Sequence, residues 1–228
     1  MSTPDAVLFD LDGTLVDASE PIVDGILDLA AADGLCVPTR AWARSRIGYD
    51  PHETWRLLGA PDPRAQLLRF RDLMNGERRE RLLAQTRVLP GVRETLEQLA
   101  GVGLRLAVAT TRPTASARAT LEAKGLLAFV ETVAGADLVA APKPAPDVLQ
   151  HVLRALAVLA PRAVMVGDTD ADVGAARAAG VRCYGVLSGV GDERTLRAAG
   201  ADFILADISE LARHVLVPVA PQPPGGTP

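Results

Sequence analysis

Hydrophobic positions along this chain follow two rhythms. Ala6 to Phe9 is a short apolar run followed at once by Asp10-Leu11-Asp12-Gly13, which predicts a buried strand ending in a polar turn. From about Ser19 to Gln85 the spacing is helical. Ile22, Ile26 and Leu29 repeat at i, i+4, i+7, and Leu67, Phe70 and Met74 at i, i+3, i+7. The breakers Asp33-Gly34, Gly59 and Pro61-Asp62-Pro63 divide this stretch, and no strand is predicted within it. After Leu89-Pro90-Gly91 short apolar runs alternate with helical ones. Strands are expected at Leu104–Ala109, Phe129–Val133, Ala163–Val166, Val181–Val186 and Phe203–Leu205, with helices near 92–100, 115–124, 145–157, 171–179, 192–199 and 208–215. Such alternation predicts an α/β fold: a doubly wound, mostly parallel sheet with helices on both faces, interrupted after its first strand by an all-helical insert. The expected division is 1–16 and 88–217 for the α/β core and 17–87 for the insert. Residues 218–228, with five of the 17 prolines, are expected to form a disordered tail.

Composition narrows the class. A chain of 228 residues has room for one large domain, or a medium one carrying a smaller insert. At 48% hydrophobic and 23% charged it matches globular proteins, which excludes long disorder, collagen-like repeats and a disulfide scaffold. The net charge of −4 argues against nucleic acid as the main partner. The two cysteines, Cys36 and Cys183, have no metal-like spacing and fit a reducing compartment. The start MSTPDAVLFD lacks a basic lead and an apolar signal core, and no segment reaches the ~18 apolar residues of a membrane span. A soluble, cytoplasmic protein is expected. Charge is uneven: residues 40–87 carry eleven arginines against six acids, a local +5, leaving −9 for the remainder. That excess is either a solvated, arginine-rich helix surface or a device that attracts an anionic substrate.

Four polar clusters fall at or beyond the carboxyl ends of predicted strands: Asp10/Asp12, Thr110/Thr111, Lys143 between Pro142 and Pro144, and Asp168/Asp170/Asp172. In an open parallel sheet ligands bind at that edge. Each cluster alone is a weak signal, since Thr after a strand is usually a helix cap and Lys beside prolines an exposed turn. Together they make a site. Carboxylates brought close repel unless a cation offsets them, and oxygen-only donors select a hard ion such as Mg²⁺. One Lys and hydroxyl donors then suit a phosphoryl group, with one carboxylate as nucleophile and a second, two residues on, as general acid and base. Other motifs fail. A calcium loop counted from Asp168 would need Gly and Glu where Val173 and Ala179 stand, and Gly189-x-Gly191 lacks the third glycine of a dinucleotide fingerprint. His52, His151 and His214 are scattered.

Phe9-Asp10-Leu11-Asp12-Gly13-Thr14-Leu15, Thr110, Lys143-Pro144 and Gly167-Asp168-Thr169-Asp170-Ala171-Asp172 resemble the four ordered motifs of the haloacid dehalogenase superfamily, from residue 6 to about 212. The insert is similar to that family's C1-type helical cap. Val88 to Val92 and Gly200 to Phe203 look like its phosphoglycolate-phosphatase-like branch. The resemblance implies a Rossmann-like core and a Mg²⁺-dependent phosphatase acting on a small phosphorylated metabolite through an aspartyl-phosphate, working as a monomer or homodimer. It makes Asp10 the nucleophile and a metal ligand. Asp12 becomes the general acid/base and lends its carbonyl to the metal. Thr110 and Thr111 bind the phosphoryl group, and Lys143 neutralises Asp10 and the phosphate. Asp168 and Asp172 complete the metal site, while Asp170 is read as a loop or helix-cap acid. Arg46, Tyr49 and His52 lie where the family's cap has a specificity loop, and Arg112 places a cation near the phosphate; these four are candidate substrate contacts.

Departures from the family pattern prune the branch. An acid at position 12 disfavours a dehalogenase. With only Lys124 and Lys143 in the chain, no cap lysine is available for Schiff-base phosphonate cleavage. A sugar-phosphate mutase and a non-catalytic phosphate-binding or signalling relative remain as alternatives.

Overall fold

The computed structural model describes residues 3–216; the stretch 218–228, expected to be a disordered tail, lies outside the described residues. Chain order is β1 (Ala6–Phe9), β2 (Val16–Asp17), α1 (Ser19–Ala32), α2 (Arg40–Arg44), α3 (Pro51–Leu57), α4 (Pro63–Asn75), α5 (Arg79–Gln85) and β3 (Arg87–Val88). It continues through α6 (Val92–Gly101), β4 (Arg105–Ala109), α7 (Thr114–Ala123), β5 (Thr132–Ala134), α8 (Asp147–Ala155), β6 (Ala163–Gly167) and α9 (Asp170–Ala179). The last elements are β7 (Arg182–Val186), α10 (Glu193–Ala199), β8 (Phe203–Leu205) and α11 (Leu211–Leu216).

Six strands form one parallel sheet in the order β5-β4-β1-β6-β7-β8. Strand β1 is central and wholly buried. Val7 and Phe9 join the hydrophobic cluster on one face, and Ala6 and Leu8 the cluster on the other. Period-two alternation between two apolar layers explains why β1 reads as a continuous hydrophobic run. The chain runs outward from β1 through β4 to β5, then returns to place β6 on the other side of β1. The topological switch therefore lies between β1 and β6, where open α/β sheets bind ligands.

Helices α1–α5 fill the interval between β2 and β3, as the helical spacing predicts. Their own apolar cluster includes Val23, Ile26 and Trp55, with the Trp55 and Phe70 rings 5.6 Å apart. The sequence breakers act as caps. Asp62 accepts from the backbone N–H groups of Arg64 and Ala65, with Pro63 opening α4, and Asp50 does the same for α3 through His52 N.

Three features depart from the sequence pattern. Strands β2 and β3 pair antiparallel through only two residue pairs, Val16↔Val88 and Asp17↔Arg87, too few to leave a periodic signal. Strand β5 starts at Thr132 rather than Phe129, because Leu127–Phe129 close a 3-10 turn. The +5 of residues 40–87 is local: residues 17–33 carry five acids and no base, so 17–87 is neutral as a whole. Arg40, Arg44, Arg69, Arg78 and Arg81 pair with those acids, and Arg56 with Glu53. Most of the arginine excess is thus a paired, solvated surface. Among the described residues no helix is long and apolar enough to cross a membrane.

Candidate active site

Asp10, Thr110 and Asp168 each follow the last residue of a neighbouring strand, β1, β4 and β6. Lys143 enters from the loop between β5 and α8. The fold brings them together. Lys143 Nζ donates to Asp10 Oδ1 at 2.6 Å, to Asp172 Oδ1 at 2.5 Å and to the Ala109 carbonyl at 3.1 Å, and all three side chains are buried. Asp10, Asp168 and Asp172 each offer a carboxylate oxygen within 4.8 Å of the others.

Three carboxylates against one ammonium leave this cluster two charges negative, and its titration reflects that excess. Burial, offset by Lys143 and reinforced by Asp172 and Asp12, raises the Asp10 pKa to about 7. Burial and then the charges of Asp172 and Asp10 push Asp168 well above the usual carboxylate range. Burial alone would lower Lys143, but the Asp10 and Asp172 carboxylates outweigh it and hold the ammonium firmly protonated. Asp10 Oδ2 is buried and has no hydrogen-bond partner. An orphaned buried oxygen within a cluster of oxygen donors carrying excess negative charge fits a divalent cation.

Asp168 is held from several sides. Thr14 Oγ1 donates to its Oδ1 at 3.3 Å, and Val190 N donates to its Oδ2 at 2.9 Å. A Cβ added at Gly189 would stand 1.8 Å from Asp168 Oδ2, and one at Gly13, whose φ is +92°, 2.4 Å from it. Only glycine admits such close approach. The Gly189-x-Gly191 pair, unexplained as a nucleotide motif, therefore belongs to the Asp168 cradle together with Val190. Sequence reasoning missed these residues, and their glycine spacing was the available signal. Asp172 is engaged through both oxygens: Oδ2 accepts from Thr169 N and Oγ1 in a capping box at the start of α9, and Oδ1 from Lys143.

The Asp12 carboxylate stands outside the three-carboxylate group. Burial raises its pKa, and Arg112, whose NH1 donates to Asp12 Oδ1 at 3.3 Å, opposes that rise. Arg112 is itself fixed by Ser116 Oγ at 2.8 Å and Thr120 Oγ1 at 2.9 Å. Thr110 is buried and its Oγ1 accepts from Arg112 N at 3.2 Å, leaving the hydroxyl proton to donate elsewhere. Thr111, Arg112, Arg46 and Tyr49 line a cavity of about 100 Å³ that also reaches Asp12. The Arg46 guanidinium lies over the Tyr49 ring at 4.8 Å. Burial, and then the nearby Asp170 carboxylate, raise the Tyr49 phenol; Asp170 is not one of the three grouped carboxylates, and its buried Oδ1 has no hydrogen-bond partner. His52 is not brought to the cavity; its backbone N–H completes the Asp50 cap.

A family model described as haloacid dehalogenase-like hydrolase matches residues 7–186, an interval that contains Asp10, Thr110, Lys143 and Asp168. The chain belongs to that family. This hydrolase is 36% identical over 222 residues to "Probable phosphatase IndB" of Dickeya dadantii, covering 95% of this chain and 96% of that one. It is 36% identical over 188 residues to a phosphoglycolate phosphatase of Rhodospirillum rubrum, covering 78% and 77%. Among solved structures it resembles a predicted phosphatase from Clostridium acetobutylicum with TM-score 0.84 and 25% identity, over 94% and 99% of the two chains.

Proposed function

We propose that this hydrolase is a Mg²⁺-dependent phosphatase that cleaves a small organic phosphomonoester, as the phosphoglycolate phosphatases it resembles do, through an aspartyl-phosphate on Asp10. The observation that carries the reading is the asymmetry of Asp10: Lys143 anchors Oδ1 while Oδ2 has no partner. Residues 17–87 act as a cap over a core formed by 1–16 and 88–217.

In the first step Asp10 attacks phosphorus in line as the ester P–O bond breaks, and Asp12 gives its proton to the departing alkoxide. A carboxyl whose pKa is raised by burial carries that proton closer to neutral pH. In the second step water attacks the aspartyl-phosphate, Asp12 takes the water proton, and the bond to Asp10 breaks to release phosphate. Thr110 donates its free hydroxyl proton to a phosphoryl oxygen, and Lys143 offsets the negative charge of Asp10 and phosphate. Asp10, Asp168 and Asp172, with the Asp12 carbonyl, would hold or orient Mg²⁺. Bound there, it supplies charge neutralisation and orients the phosphoryl group. Phosphate release measured over a panel of phosphorylated metabolites tests the proposal. Mg²⁺-dependent release supports it; isomerised product without phosphate release would make the protein a mutase, and inertness toward every ester a binding protein.

A further inference from the structure

The cavity beneath the helical segment has one polar end and several apolar walls. Asp12, Thr111 and Arg112 lie at the core side, whereas Ile26, Trp55, Leu67, Phe70 and Met74 line the rest. A two-carbon acid leaving group presents almost no surface for such walls to cover, and an apolar body does.

Two cations of the helical segment, Arg46 and Arg71, interrupt these walls. Leu67, Phe70, Arg71 and Met74 stand at i, i+3, i+4 and i+7 along α4, so Arg71 sits within the helix's apolar stripe. Six of the eleven arginines between 40 and 87 have carboxylate partners. Of the other five, Arg64, Arg79 and Arg87 are exposed, while Arg46 and Arg71 are partly buried and both line the cavity. Arg46 has the Tyr49 ring beneath it, although its Nε, like that of Arg71, is buried without an acceptor. Arg71 has no carboxylate or ring partner among the described residues, and its Nε is buried without an acceptor. A guanidinium nitrogen withdrawn from water needs an acceptor, and the planar fork of donors matches a carboxylate or a second phosphate.

Building on the phosphatase reading, we infer that the alcohol released by this enzyme has an apolar body bearing an anionic group, which Arg71 receives while the phosphoryl end lies at Asp12 and Asp10. Arg71 is then a specificity-determining residue, and phosphoglycolate is too short to be the preferred substrate.

Three esters of comparable leaving-group chemistry test this: phosphoglycolate, benzyl phosphate and para-carboxybenzyl phosphate. In the wild type, kcat/KM is expected to be highest for the carboxylated ring. Arg71→Met should lower the ratio of carboxybenzyl to benzyl phosphate by about tenfold or more, chiefly through KM, the size expected from one lost charge-assisted hydrogen-bonding group. Arg64→Met removes an exposed charge from the same helix and should leave that ratio as in the wild type. Preference for phosphoglycolate, or a ratio indifferent to Arg71→Met, overturns the inference while the phosphatase reading stands. Failure to release phosphate from any ester defeats that reading, and this inference with it.

Discussion

Lys143 Nζ lies 2.6 Å from Asp10 Oδ1, with both side chains closed off from solvent. The same ammonium holds Asp172, so one cation serves two buried carboxylates. Lys143→Met is expected to lower stability by about 3–5 kcal/mol near neutral pH, because it leaves buried charges unpaired. The loss should narrow as the pH falls and Asp10, whose pKa burial raises, takes up a proton. Denaturant midpoints of variant and wild type across pH measure it.

Gly189 touches the substrate in neither proposed step, yet its missing Cβ makes room for Asp168. Gly189→Ala should displace that carboxylate and weaken Mg²⁺ binding by about tenfold or more, as loss of support behind a metal ligand generally does. Calorimetric Mg²⁺ titration of the two proteins gives the comparison. Unchanged affinity would remove Asp168 from the metal site.

On the proposed mechanism, metal and proton compete for Asp10. With metal chelated, folded Asp10 has a pKa raised from 3.8 to about 7. Between those values the folded protein retains a proton that the unfolded chain has lost. Its contribution therefore favours folding at low pH, and stability falls as pH rises through that window. Mg²⁺ affinity should rise over the same interval, since binding requires the carboxylate. Unfolding curves of chelated protein over a pH series, with and without Mg²⁺, test both directions. EDTA should stop phosphate release and Mg²⁺ restore it.

Arg112 is placed to govern the proton of Asp12 rather than to face solvent. Arg112→Gln removes the charge that restrains the Asp12 pKa, so the limb of the pH–rate profile belonging to Asp12 should move to higher pH. A uniform loss of rate with no movement of that limb would mean that Arg112 acts only on packing or substrate.

Much of this is legible in the sequence. Strand β1 and the Asp10-x-Asp12-Gly13 turn follow from an apolar run cut short by acids, and the sheet edge then gathers Thr110, Lys143 and Asp168 by topology alone. Pairings between distant residues were not legible. Nothing in the sequence ties Arg112 to Asp12, or Val190 and its flanking glycines to Asp168, because those contacts depend on how loops cross the sheet edge. Of the two readings of the arginine excess the solvated surface holds for most of it, and what the window hid was the partners: the acids of residues 17–33 that neutralise it lie just outside residues 40–87. The two-residue ladder of β2 and β3 was invisible for lack of length.

The central claim is that Asp10 is the nucleophile. Asp10→Asn keeps the side-chain volume and a polar group in the pocket, so near-native circular dichroism and unfolding curves should accompany a loss of phosphate release on the order of 10⁴-fold or more at saturating Mg²⁺. Wild-type-like phosphate release from the folded variant, purified free of other phosphatases, would contradict it.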